Sequence, residues 1–384
     1  MNTDGNLNYL NSIGIEISKE MIANNAAQTV VVGMSGGVDS SVTALLVKMM
    51  GYKTIGIFMK NWEEDDENGR CQSEKEYEDV VAVAEQLDIP YFSINFVDEY
   101  KEKVFQHFLD EYEAGFTPNP DILCNREIKF KVFFNKAKEL GANYLATGHY
   151  CQNVDGKLIK GRDTNKDQTY FLYTMQGDVL KDVLFPIGGL EKKIVRKIAH
   201  DFDLATATKK DSTGICFIGE RNFKNFLSKY LSEQKGNFIR LDDGKIMGPH
   251  DGYCFYTNGQ RKGLGLGGPG GPWFVADKDR DTNTVYVVEG EKHPALYCEF
   301  IECDELSWVH NKPEFPLKCM AKIRYRQADQ SCTVTETKDG LKVEFDSPQR
   351  AAAMRQSIVF YYGETCLGGG MISKIGPSLF KKLE

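Results

Sequence analysis

Gly33, Gly36 and Gly37 stand close together with Ser35, Ser40 and Ser41. The glycines carry no Cβ and let an oxyanion approach the backbone, and the serines bring hydroxyl donors. Thr29 to Val32 before them is a β-branched run with the character of a buried strand. After them Val42, Leu45, Leu46 and Met49 recur at helical spacing. A helix that opens there turns free N–H groups and its positive dipole end toward the loop. Strand, loop and helix in this order make a cradle for a polyphosphate. An ordinary glycine-rich turn is the alternative, and it would not need the hydroxyls. The cradle is not of the Walker type, because no Gly-Lys-Ser/Thr closes it.

Two thiols carry the next chemistry. Cys124 follows Thr117-Pro118-Asn119-Pro120-Asp121, a segment whose prolines predict a rigid, non-helical entry to the apolar-periodic helix around Phe130. A thiolate at a helix start is favoured by the dipole and by the nearby Arg126 and Lys129. Asp121 lies three residues earlier, within reach as an acid or base. Cys216 follows Gly214 in a loop-like stretch after Lys209 and Lys210. Cys124 alone reads equally well as core, and Cys216 alone reads better as core. Together, beside a nucleotide loop, they offer a persulfide carrier and a thiolate that releases its outer sulfur, leaving a disulfide.

These groups need elements to position them. From residue 29 to about 150 strands alternate with helices: Lys53 to Met59, Tyr91 to Phe96 and Tyr144 to Thr147 read as strands. The alternation predicts an α/β fold with a parallel sheet, and ligands in such sheets sit at the carboxyl ends of the strands. Gly33, Met59 and Gly148 all fall there. A helical stretch near Glu191 to Phe202 follows, then a helix from Arg221 to Leu231. The last hundred residues carry short strands separated by turns, the pattern of a small all-β barrel. The expected organisation is an extension at 1–28, a nucleotide domain at 29–218, a small central domain at 219–291 and the barrel at 292–384. The run Gly263 to Gly268 matches G-x-G-x-x-G, but no strand precedes it and Pro269 and Pro272 follow, so it reads as a loop.

Composition narrows the class. The chain has 384 residues, 41% hydrophobic and 27% charged, as a globular protein of two or three domains would. No apolar stretch approaches a membrane span, and the polar first 28 residues do not resemble a signal peptide, so a cytoplasmic location is expected. In that reducing compartment the ten cysteines read mostly as small core residues. There is no Cys-x-x-Cys and no His-backed cysteine pair, so no metal site is read. The net charge of −8 does not announce a nucleic-acid binder. Local clusters at Lys192-Lys193, Arg196-Lys197, Lys209-Lys210, Arg261-Lys262 and Arg324-Tyr325-Arg326 could still meet phosphates.

The order Ser-Gly-Gly-Val-Asp-Ser at residues 35–40 resembles the PP-loop of the N-type ATP pyrophosphatases, which split ATP into AMP and pyrophosphate while adenylating a carbonyl oxygen. With Met59-Lys60-Asn61-Trp62, Asn119-Pro120-Asp121, Cys124-Asn125, Ile128-Lys129-Phe130, Ala146 to Tyr150, Lys166 to Tyr170, Gly214 to Ile218, Gly259 to Gly263 and Ile323 to Arg326, the chain resembles the tRNA-specific 2-thiouridylases over nearly all its length after residue 28. That resemblance implies ATP-dependent sulfur transfer from a protein persulfide to C2 of the wobble uridine. It implies ATP held by Gly33, Met34, Ser35, Gly36, Gly37, Val38, Asp39, Ser40, Met59 and Gly148, with Mg²⁺ accompanying the nucleotide and no prosthetic group. Asn119, Pro120 and Asp121 would surround the base, with Asp121 as acid/base. Cys124 would be the nucleophile and Cys216 the persulfide carrier. His149, Lys166, Asp167, Gln168, Arg324, Tyr325 and Gln356 would touch tRNA. The partners implied are the anticodon region of tRNA and a cysteine desulfurase or sulfur-relay protein, with no membrane. A PP-loop ligase or amidotransferase acting on another adenylated carbonyl is the main rival, and it would have no use for the two thiols. A non-catalytic RNA-binding protein that keeps ATP as a structural ligand is the other.

Overall fold

The protein is described by a computed structural model over residues 3–63, 71–211, 223–232, 234–268 and 270–381. It divides into two compact units, one of residues 1–104, 121–219 and 364–366, the other of residues 105–120, 220–363 and 367–384.

The first unit is built on a five-stranded parallel sheet. Its strands run in spatial order Tyr91–Asn95, Lys53–Lys60, Thr29–Met34, Tyr144–Ala146, Val183–Leu184. Val30, Val31 and Val32 are fully buried, as a central parallel strand covered on both faces requires. The helix Val38–Met49 is buried almost throughout, with Val42, Ala44, Leu46 and Val47 at zero exposure. Two other helices cover it, Thr3–Ser12 and Lys192–Asp201. Leu10 of the first is fully buried in the same core, and Tyr9 donates to Asp201 at 2.9 Å. Part of the expected extension is therefore core, because one side of the Val38–Met49 helix would otherwise face water. The chain leaves the first strand on one side and returns on the other. The carboxyl ends of Thr29–Met34 and Tyr144–Ala146 consequently flank the switch point where such sheets open a crevice.

The second unit holds two β structures. A four-stranded sheet runs Trp273–Asp279, Thr284–Glu289, Gly236–Arg240, Ile246–His250. The other is an antiparallel barrel of six strands, Tyr297–Trp308, Leu341–Arg350, Gln330–Glu336, Leu317–Lys322, Ser357–Tyr362 and Thr365–Ile375, closed by pairing of the last with the first. Leu341, Val343 and Phe345 alternate inward, and Ile301, Ala321, Val334, Phe360 and Ile372 fill the interior. Gly263 to Gly268 is a loop, with Gly263, Gly265 and Gly268 all at positive φ.

Residues 111–117 are tied to this second unit by several polar bonds. Arg355 grips the buried Glu111 with two-pronged bonds of 2.8–3.0 Å and reaches Glu305 at 3.1 Å. Lys278 donates to the carbonyls of Gly115 and Tyr256 at 2.6 and 2.7 Å, and burial lowers its pKa to about 8. Gln356 donates to the Thr117 carbonyl. Truncating Arg355 strands a buried carboxylate, so Arg355→Ala should lower unfolding free energy by about 3–5 kcal/mol. Denaturant titration of the variant checks this, and Glu111→Gln should lose less.

Candidate active site

The loop after the first strand has the cradle's geometry. Gly36 lies at φ +69°, and a Cβ there would sit 2.4 Å from the Glu76 carbonyl oxygen. Only glycine fits. Gly37 caps the Val38–Met49 helix without any side-chain bond, leaving first-turn N–H groups for an incoming anion. Ser40 and Ser41 were expected as phosphate donors, but both are buried and donate to the Gly37 carbonyl at 3.0 and 2.9 Å. The Ser40 hydroxyl also accepts the Ser35 N–H at 3.1 Å. Their hydroxyls shape the loop, and Ser35 is the exposed one. Met34 and Val38 are core side chains that could offer a ligand only backbone.

Met59 stands at the end of a strand that pairs directly with the first, and Gly148 lies two residues past the strand on its other side. A Cβ on Gly148 would come within 3.0 Å of Asp39 backbone, so the Gly148 turn packs directly against the helix start. The three expected nucleotide segments are adjacent. This follows from strand order.

Asp39 belongs to a polar network that includes Lys192, Tyr150 and Asp211. Its Oδ1 accepts from Lys192 Nζ at 2.6 Å and from the Tyr150 hydroxyl at 2.8 Å. Burial first, then the Asp39 charge, pushes the Tyr150 phenol far above its ordinary range, so it stays a donor. Lys192 also reaches Asp211 at 2.9 Å, and Asp211 takes Lys166 at 2.8 Å and Arg196 as well. Burial raises the Asp211 carboxyl, but bonds from Lys166 and Lys192 outweigh it and hold the group well below the carboxylate range. Lys209 donates to the Gly36 carbonyl at 2.9 Å and pairs with Asp79. Lys192 and Lys209 were legible only as basic clusters, and Tyr150 and Asp211 only as parts of longer motifs.

The segment carrying Asp121 and Cys124 is helical, contrary to the non-helical entry its prolines predict. A helix begins at Pro120, runs to Leu123, continues as a π-helix over Cys124–Phe133 and ends as Phe134–Glu139. Proline is at home in a first helical position, where its missing N–H costs nothing. Asp121 and Cys124, three apart, share a helix face. Cys124 is buried, at 1% exposure. Arg126, expected to lend charge to the thiol, is paired with Glu127 at 2.8 Å. Asn125 is buried and donates to the Phe171 carbonyl at 3.1 Å. Cys216 lies outside the described residues. The nine described cysteines are all buried.

Residues 28–220 match the tRNA methyl transferase HUP domain, 224–289 the tRNA methyl transferase PRC-barrel domain, and 299–372 the aminomethyltransferase beta-barrel domain. The tRNA-specific 2-thiouridylase MnmA of Protochlamydia amoebophila (strain UWE25) is 57% identical over 359 residues, covering 92% of this chain and 95% of that protein. The chain belongs to the tRNA-specific 2-thiouridylase family. The protein of the same name from Bacillus subtilis (strain 168) is 56% identical over 355 residues, 90% of this chain and 95% of its own. Likeness to solved structures is weaker: the U34-tRNA thiolase NcsA from Methanococcus maripaludis shares 17% identity at a TM-score of 0.37, covering 59% of this chain and 71% of that one.

In this thiouridylase several residues expected to face tRNA are engaged internally. His149 is buried, its Nδ1 2.8 Å from the Thr147 hydroxyl and its ring beside Phe130 and Phe185. Burial, then the Lys129 charge, lowers its pKa well below the usual value, so it is neutral and packs the Gly148 turn onto the helix of Cys124. Asp167 accepts from the N–H groups of Gly161 and Thr169 and from the Thr169 hydroxyl. Gln168 accepts the Tyr150 N–H at 2.9 Å. In the second unit Arg324 donates to the carbonyls of Asn258 and Ala351 at 2.8 and 2.5 Å, joining sheet and barrel. Tyr325 carries the Arg326 guanidinium over its ring. Asn119 is half-buried and Pro120 buried. A cleft of about 680 Å³ in this unit is bordered by Lys278, Arg280, Asn258 and Lys374. No helix among the described residues is long and apolar enough to cross a membrane.

Proposed function

We propose that this chain transfers sulfur, at the expense of ATP, from a cysteine persulfide to C2 of the wobble uridine of tRNA. One observation carries the reading. The glycine loop, Met59 and Gly148 converge at adjacent strand ends, in a unit where the helical turn Pro120–Leu123 runs into the π-helix and Asp121 and Cys124 share one face. A nucleotide site alone would serve a ligase or amidotransferase equally well. A paired thiol and carboxylate serve sulfur transfer.

ATP enters as its Mg²⁺ complex, with its phosphates on the N–H groups that follow Gly36. The uridine, unstacked from the anticodon loop, sits among Asn119, Pro120 and Asp121. Its O2 bonds to the α-phosphorus, pyrophosphate leaves, and Asp121 takes the N3 proton. The terminal sulfur of a Cys216 persulfide attacks C2 and AMP departs. The Cys124 thiolate then attacks Sγ of Cys216, the S–S bond to the transferred sulfur breaks, and its electron pair stays with the uridine as the 2-thio group. A Cys124–Cys216 disulfide remains, and an external dithiol must reduce it. A cysteine desulfurase or a relay protein reloads Cys216. Lys166, Arg324, Tyr325 and Gln356 bear on tRNA by contact or by holding the surfaces that meet it, in the cytoplasm where tRNA resides. Nucleoside mass spectrometry of tRNA from cells lacking the protein should show 2-thiouridine at the wobble position gone, and unchanged 2-thiouridine would overturn the reading.

A further inference from the structure

Lys192 lies 153 residues from Asp39 in sequence, yet its ammonium sits 2.6 Å from that carboxylate at the start of the helix that faces the glycine loop. Several features set it apart from a surface ion pair. Its side chain is 13% exposed, enough for a ligand to reach and little enough to weaken screening. Its stem is fixed from both ends: its backbone N–H donates to Asp163 at 2.9 Å, and the ammonium lies over the Tyr150 ring at 5.8 Å. The ammonium is shared between Asp39 and Asp211. A polyanion on the adjacent helix N-terminus competes with both for the same charge.

We propose that Lys192 is a catalytic residue that binds the departing pyrophosphate. This rests on the sulfur-transfer reading for the identity of the reaction, and on the loop geometry alone for the anion. As the uridine O2–Pα bond forms and the bond from Pα to the bridging oxygen breaks, that bond's electron pair moves onto pyrophosphate. A cation fixed there stabilises the charge as it develops, at no cost of reorganisation. Before ATP binds, Asp39 and Asp211 hold the ammonium in place, and Tyr150 orients Asp39. Its neighbour Lys193 is exposed and pairs with Glu191. It has no such role.

The test is titration of the protein with Mg²⁺ and inorganic pyrophosphate by calorimetry, alongside titration with AMP and single-turnover AMP release with tRNA by the persulfide-loaded protein. Lys192→Gln should bind pyrophosphate at least about tenfold more weakly, keep its AMP affinity, and release AMP roughly 10²–10³-fold more slowly. Lys192→Arg should restore pyrophosphate binding to within about threefold, and Lys193→Gln should match the wild type. Pyrophosphate affinity unchanged in Lys192→Gln overturns the assignment. If AMP affinity falls too, the site has collapsed and Lys192→Arg decides: a large loss of pyrophosphate affinity there also overturns it. A wild type that releases no AMP with tRNA overturns the sulfur-transfer reading, while the pyrophosphate titration still judges Lys192.

Discussion

Cys216→Ser is expected to take up no labelled sulfur from a cysteine desulfurase, whereas Cys124→Ser takes up the label and fails to pass it to tRNA. The assignment follows from what each thiol must do. A persulfide acceptor has to be met by a second protein, and the sequence around Cys216, two residues past Gly214, predicts a loop. Cys124 is buried within a helix, one turn beyond Asp121, out of reach of a macromolecular donor. Both variants should lose 2-thiouridine formation by a factor of at least about 10³, because neither serine can form or cleave a sulfur–sulfur bond. Both should keep pyrophosphate release, since adenylation precedes the thiol chemistry, whereas Cys216→Ser has no persulfide to displace AMP. After one turnover without reductant the wild type should hold a Cys124–Cys216 disulfide, visible by mass spectrometry of the alkylated protein. Label on Cys124 with none on Cys216 reverses the roles, and label on neither ends the persulfide mechanism.

The second large effect concerns Asp39. Its alanine variant should lose AMP formation by roughly 10²–10³ or more, by analogy with loss of one preorganised electrostatic partner. A bare carboxylate beside polyphosphate would repel it, so its charge has to act through a cation. The sequence offers only Mg²⁺ for that task. The structure adds Lys192 at 2.6 Å, with the Tyr150 hydroxyl on the same carboxylate oxygen. Asp39→Asn keeps an acceptor for Tyr150 but cannot hold the ammonium by charge, so it should be nearly as slow as Asp39→Ala. Overall stability should change little, because Asp39 is half-buried and Lys192 retains Asp211. Normal single-turnover AMP release by either variant would remove this loop from the chemistry.

Where sequence and structure part, the reason is physical at each place. Thr117 to Asn119 is non-helical, as its prolines predict, but Pro120 and Asp121 are helical, because proline breaks a helix only from its second turn on. Pro120 opens one instead, which moves Cys124 from the helix start into its body. Ser40 and Ser41 look like donors in any glycine-rich loop. Which hydroxyls remain for a ligand depends on where the Gly37 carbonyl points, and it takes both. His149, Asp167 and Gln168 are polar residues in a motif, and polarity alone does not tell a surface contact from a buried, satisfied group. Thr3–Ser12 is weakly amphipathic, and nothing before folding indicates that Leu10 will find the Val38–Met49 helix.

By itself the sequence determined the parallel-sheet α/β class, the small barrel after it, the glycine loop and the proximity of Asp121 to Cys124. Each is a local property: strand and helix periodicities, glycines that admit no substitute, and residues three apart on one turn. Strand order was left to the tertiary structure, and it is what brings Met59 and Gly148 to either side of Gly33. The same holds for long-range polar contacts. Lys192 to Asp39, Lys209 to Gly36 and Arg355 to Glu111 join residues 153, 173 and 244 positions apart. No spacing rule reaches that far, because such pairs are chosen by which elements pack together, and a lysine in a basic cluster acquires a role only from the carboxylate that the fold puts beside it.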